Sequence, residues 1–166
     1  LQGIIYSVCD SSVIFTMTVT ETKLIYRDSP DYEQARIGRV FNNRRPNRYP
    51  HAVVEATCVQ GIINAVQLAK SQNFRVSVRS GGHSWAAWSV RDNAILIDLG
   101  KYNFIEYDEE SKTAKVSPRT TGKMLSEYLA PKGRMFGGGH CPDVGLGGFL
   151  LQGGMGWNCK VCIPFP

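Results

Sequence analysis

The sequence predicts an α+β domain built of two small layered parts. Three observations carry that reading: a strand-helix-strand pattern across residues 52–78, a further apolar strand at 94–99, and a hairpin followed by a capped helix across 104–133. Two glycine-rich turns, one beginning at Gly81 and one at Gly137, interrupt the regular elements.

Residues 1–20 are rich in β-branched side chains, and two readings stay open for them: an added strand or an unstructured tail. The apolar stretch Val13, Ile14, Phe15, Met17, Val19 is broken by threonines and falls far short of a membrane span, so no transmembrane helix is expected. No basic n-region followed by an apolar h-region is present, so a signal peptide is not expected. Residues 21–40 turn polar and charged, with one helical turn at 32–36. The two prolines and three asparagines of residues 42–50 mark a loop. A short strand follows at 52–56.

Val59, Ile62, Ile63, Val66 and Ala69 recur at three- and four-residue steps, which predicts an amphipathic helix resting on a sheet through that face. Residues 74–78 then form a strand, and the crossover suits parallel pairing. The run Ala94-Ile95-Leu96-Ile97-Asp98-Leu99 is apolar enough to be a central strand. Residues 104–108 and 113–117 read as a hairpin around Glu109-Glu110-Ser111-Lys112. Thr120 or Thr121 caps a helix through Met124, Leu125, Tyr128 and Leu129 that Pro131 and Gly133 end. Residues 146–151 predict a short helix, and no internal repeat is evident.

Composition narrows the function. The 166 residues suffice for one domain with a real core. The net charge of +5 comes partly from Arg36, Arg39, Arg44, Arg45 and Arg48. A solvated loop is the favoured reading of that cluster, because neither a reader helix nor an aromatic stacking pattern accompanies it; no nucleic-acid partner is expected. Cys9, Cys58, Cys141, Cys159 and Cys162 are an odd, scattered set that does not suggest a disulfide framework. Cys159 and Cys162 have C-x-x-C spacing, but no second ligand pair accompanies them, so no metal is assigned.

The chemistry concentrates in two segments. Arg79-Ser80-Gly81-Gly82-His83-Ser84 follows the β-branched run Arg75-Val76-Ser77-Val78, placing a glycine turn at the carboxyl end of a strand. With no Cβ in the way, backbone N–H groups there converge on an anion, and a diphosphate fits. Ser80, Gly81, Gly82 and Ser84 are the candidate cradle. Arg79 has two readings, a charge added to that cradle or a simply exposed side chain. The second segment, Gly137-Gly138-Gly139-His140-Cys141-Pro142-Asp143-Val144-Gly145-Leu146-Gly147-Gly148, pairs a thiol with glycines that let main chain lie against a flat ligand. It is not a Walker loop, because no Gly-Lys-Ser/Thr follows, and it lacks the Rossmann spacing.

These two elements, in this order and at this separation, resemble the flavin-binding half of the berberine-bridge-type FAD-linked oxidoreductases, a group within the vanillyl-alcohol-oxidase-like flavoproteins whose domain is termed PCMH-type. The resemblance runs from about Arg36 to Lys160. It implies FAD as cofactor, attached twice: His83 to the 8α carbon of the flavin and Cys141 to C6. It further implies that Gly139, Gly145, Gly148, Gly153 and Gly154, with Gly147 and Gly156, bring main chain close to the ring and ribityl chain. Trp157 and Asn158 match the family as well. By the same resemblance Val144 is the gate residue whose small size goes with oxidase behaviour: a small organic substrate gives hydride to flavin N5 and dioxygen takes the electrons as hydrogen peroxide. An ordinary packing valine is the other reading.

The expected organisation is an N-terminal extension over 1–35, an FAD-binding domain over 36–160 and an unmatched tail over 161–166. The substrate-binding sheet of the family is expected to be missing through truncation, and the catalytic base with it, so no base is named. Gly61 stands where the family carries an acidic residue. Arg119 stands where a small residue is usual, in a turn that runs close to the cofactor, with the expectation that it crowds the diphosphate. Two rival readings are a non-catalytic truncated fragment and a basic nucleic-acid or zinc-binding module.

Overall fold

The computed structural model describes residues 22–157. A sheet with strand order β1-β2-β4-β3 is made by β1 (Lys23–Tyr26), β2 (Ala52–Glu55), β3 (Arg75–Arg79) and β4 (Ala94–Asp98). Strand β4 runs parallel to both β2 and β3, with Ala52 and Val76 each opposite Ile95. Every residue of β4 is buried, as an apolar central strand requires. The expected strand-helix-strand unit is present, and β4 is inserted between its two strands.

The two-residue alternation of a strand sorts the core onto two faces. Ala52, Val54, Ile95 and Ile97 pack with Ala65 and Ala69 of helix α2 (Val59–Ser71). Val53 and Leu96 point the other way, toward Ile25 of β1 and toward Tyr32 and Ala35 of helix α1 (Tyr32–Ile37). The boundary expected between residues 35 and 36 therefore falls inside a helix whose first half already belongs to this core.

Helix α2 rests on the sheet through only part of the face expected of it, Ile62 and Ala69. Val59, Ile63 and Val66 are 56%, 42% and 45% exposed, while Gly61, Ala65 and Ala69 are buried and Ile62 packs at the edge of the cluster. The row at four-residue steps carries the small side chains, which lets the helix approach the sheet closely. At Gly61 a Cβ would overlap the Thr22 hydroxyl, so the glycine makes room for the start of β1.

The second part begins with the hairpin of β5 (Ile105–Asp108) and β6 (Thr113–Val116). The Asp108 carboxylate accepts from the N–H groups of Glu110 and Ser111 at 2.9 and 3.0 Å, which holds its pKa below the ordinary value. Helix α3 (Gly122–Leu129) is capped by the Thr121 hydroxyl, which accepts from Met124 N at 3.2 Å; Gly133 ends the following turn in the left-handed conformation. Leu125 and Leu129 of α3 and Leu146 of helix α4 (Leu146–Leu151) pack against Ile105, Tyr107, Val116, Phe136 and Phe149. The hairpin, the Thr121 cap and the short helix at residue 146 match the sequence expectations.

Candidate functional site

The two glycine segments meet. A Cβ on Gly81 would lie 2.7 Å from the Cα and N of Gly145, and one on Gly145 would lie 2.7 Å from the Gly81 Cα. A Cβ on Gly147 would come within 3.1 Å of the Ser80 Cβ and 3.0 Å of the Pro118 carbonyl oxygen. The loop leaving β3 and the turn entering α4 are thus joined main chain to main chain, with Pro118 beside them. Gly82 takes φ +74°, and there the Arg39 carbonyl occupies the space of a Cβ. Only glycine meets both conditions at that position.

This seam has the character of an anion site. Among the described residues, the N–H groups of Gly81, Gly82, His83 and Ser84 donate no hydrogen bond. A run of unpartnered backbone donors where side chains leave space is the arrangement that holds phosphate. Gly148 is exposed and meets nothing within 4 Å, and Gly153, at φ +66°, is equally open, so main chain there is approachable.

His83 is half-buried and its ring stacks on Phe41, with centroids 4.0 Å apart and planes 12° from parallel. The sequence reading did not single out Phe41. Cys141 is exposed, with a free thiol. Its carbonyl accepts from Val144 N at 3.3 Å, closing a turn that α3 holds: Gly122 N donates to the Val144 carbonyl and Lys123 N to that of Pro142, at 3.3 and 3.0 Å. Consecutive Cα atoms are about 3.8 Å apart and turn ends lie within about 7 Å, so His83 falls within about 8 Å of the seam and Cys141 within about 11 Å. Val144 is half-buried between these elements.

Gly139 and Gly154 both border the Phe149 ring, and Gly139 bridges to Gly156. Trp157 is exposed, with its ring 4.5 Å from that of His140. Asn158, Cys159 and Cys162, like residues 1–20, lie outside the described residues.

Arg79 fits neither expectation. Its side chain is 2% exposed and is taken up by protein acceptors: it donates through Nε to Asp98 at 2.8 Å, through Nη2 to Asp98 as well, and to the carbonyls of Arg36 and Ala35. Burial pushes its pKa down, with the Asp98 charge opposing that shift. Asp98 also receives Arg39 and the Gly100 N–H, and Arg39 donates in turn to the Ser80 carbonyl. A buried carboxylate thereby ties the end of β4 to the underside of the glycine turn.

The solvated-loop reading of the arginine cluster holds for Arg44 and Arg45, which are exposed, and fails for the other three. Arg36 is buried, pairs with Glu33 at 2.7 Å and donates to the carbonyls of Pro46 and Arg48. The Glu33 hydrogen bond raises its pKa. Arg48 donates to the carbonyls of Val90, Ala86 and Ala87. A guanidinium offers several donors in a fixed fork, and here loop carbonyls take them. No group of three or more His, Cys, Asp or Glu side chains gathers as a metal site among the described residues, and no helix there is long and apolar enough to cross a membrane.

With this geometry, the similarities to known proteins acquire a location. Residues 50–162 match the FAD binding domain family. The chain is 48% identical over 136 residues to the FAD-linked oxidoreductase penO of Penicillium crustosum, covering 82% of this chain and 30% of that protein. It is 34% identical over 132 residues to the carbohydrate oxidase of Microdochium nivale, covering 77% and 26%. Among solved structures, Physcomitrella patens BBE-like 1 superposes with a TM-score of 0.75 at 29% identity, covering 84% of this chain and 30% of that one. The chain thus spans about a third or less of the length of the relatives it matches. Its residues suit FAD on two structural grounds, the row of unpartnered N–H groups at Gly81–Ser84 and the seam that a Cβ would fill.

Proposed function

The chain belongs to the FAD binding domain family, as the flavin-binding part of the berberine-bridge-type FAD-linked oxidoreductases, and from that premise we propose that it holds FAD by two covalent bonds within an oxidase of small organic molecules. Bound FAD supplies a hydride acceptor at N5 and a route for the electrons to dioxygen, giving hydrogen peroxide. The N–H groups of Gly81, Gly82, His83 and Ser84, with Ser80 beside them, cradle the diphosphate. His83, its imidazole plane set by the stacked Phe41, would be joined to the 8α carbon, and Cys141, exposed on a turn pinned by α3, to C6; each bond would replace a C–H of the flavin and the N–H or S–H of the side chain, with the two electrons passing through the flavin to dioxygen. Gly145 and Gly148, with Gly139, Gly153 and Gly154 further along, keep main chain low where the ring and ribityl chain lie.

The observation that carries this reading is the unpartnered donor row, closed against Gly145 and including His83. The test is the mass of the intact purified chain. One added FAD is expected, yellow through acid precipitation; it survives either His83→Ala or Cys141→Ala through the remaining bond and is lost from the double variant. A colourless chain with no added mass after incubation with FAD would refute it.

Val144 is proposed as the oxygen gate. In the flavin-loaded chain reduced with dithionite, Val144→Leu is expected to slow reoxidation by air by roughly tenfold, or about 1.4 kcal/mol of barrier, while leaving the rate of reduction unchanged. Stopped-flow absorbance separates the two steps, and equal reoxidation rates would assign Val144 to packing alone.

A further inference from the structure

The turn Pro118-Arg119-Thr120 closes one side of the seam. It is held on both flanks: the Pro118 carbonyl accepts from Gly147 N at 2.9 Å and the Thr120 carbonyl from Leu146 N at 2.8 Å. Beneath it, the fully buried hydroxyls of Ser117 and Thr120 bond to each other at 2.8 Å, and Thr120 N donates to the Ser117 carbonyl at 3.0 Å. Residue 119 is therefore fixed at the edge of the proposed diphosphate cradle.

The side chain at this position is incomplete in its bonding. Arg119 Nε is buried and has no hydrogen-bond partner, and among the described residues Arg119 joins no carboxylate. The contrast with its neighbours is informative, since Arg36, Arg48 and Arg79 all donate to protein oxygens. The side chain as a whole is half-buried, but a donor left buried and unmatched is costly, so the Nε calls for a partner that is not part of the chain. Among the described residues Ser77 Oγ is the other orphan, but a lone hydroxyl on a strand lacks the charge to select an anion.

We propose that Arg119 binds the diphosphate of the nucleotide held at this seam, adding a charged donor to the backbone cradle. The proposal rests on the FAD reading above and reverses the expectation drawn from the family pattern. A bulky residue replacing a small one would crowd a neutral ligand, whereas a cation beside a diphosphate is attracted to it. Arg119 thus takes the electrostatic part that was one of the two readings of Arg79, whose guanidinium is committed to Asp98.

The test separates the phosphates from the ring. In the His83→Ala/Cys141→Ala background, where attachment cannot mask affinity, FAD and riboflavin are titrated against the chain by flavin fluorescence over a range of salt concentrations. Arg119→Ala is expected to weaken FAD by roughly 10- to 100-fold, to leave riboflavin unchanged and to flatten the salt dependence. Arg119→Gln, which keeps length and polarity without charge, is expected to behave like the alanine variant, and Arg119→Lys to retain most of the salt slope. Unaltered FAD affinity in Arg119→Ala and Arg119→Gln, or equal weakening of FAD and riboflavin, would overturn the proposal while leaving the flavin reading intact. An unsubstituted chain that takes up no FAD at all would instead defeat the flavin reading and this inference with it.

Discussion

Asp98→Asn is expected to destabilise the domain by about 3–5 kcal/mol, the range for breaking a buried ion pair by removing one partner. The substitution keeps size and one acceptor oxygen, so the loss comes from charge and from an amide N–H₂ turned toward donors. Asp98 is 3% exposed and answers two guanidiniums, Arg79 from its own sheet and Arg39 from the segment before the arginine-rich loop. Without the carboxylate, Arg79 stays charged at 2% exposure with only the Arg36 and Ala35 carbonyls to face. Because small domains have only about 5–15 kcal/mol of stability in all, the variant should unfold at a much lower urea midpoint with an unchanged slope. Combining Asp98→Leu with Arg79→Met should recover much of that loss, since the apolar pair strands no fully buried charge and Arg39, its side chain 33% exposed, can turn to solvent. A single variant whose midpoint matches the parent would show that the pair contributes nothing net. The effect should reach the proposed flavin site, because Arg39 joins Asp98 to the Ser80 carbonyl.

Where apolarity alone decides, the sequence was legible. The run at 94–99 is apolar enough to be central, and one of the two threonines offered as a cap, Thr121, is the cap. Reading failed where distance of approach decides. Val59, Ile63 and Val66 have the right spacing to face a sheet, but Gly61, Ala65 and Ala69 let the backbone come nearer and so won the interface. Strand β1 escaped notice because only Ile25 of its four residues is buried, which leaves no alternation to detect. Charge was misread for a related reason: a row of arginines looks solvated until one sees which carbonyls they reach, and those belong to residues 46, 48, 80, 86, 87 and 90. Both motif segments were visible as glycine-rich; that their backbones touch was not, since Gly81 and Gly145 are neighbours only in the folded chain.

That contact yields a second large effect. Gly81→Ala and Gly145→Ala should each push the two segments apart, because the new Cβ meets main-chain atoms 2.7 Å away, and backbone at that separation has no rotamer by which to yield. Overpacking of this kind costs about 1–3 kcal/mol, and the larger consequence is that His83 and Cys141, placed by the two sides of the seam, lose their common register. Covalent FAD should fall sharply in either variant, read as the fraction of chain carrying the added mass. Because both substitutions open the same gap, the double variant should cost clearly less than the sum of the singles, a coupling that two independent sites would not show. Additive destabilisation in urea would mean that the segments do not press on one another in solution. Full flavin loading in both single variants would mean that the seam has slack enough to leave His83 and Cys141 in place.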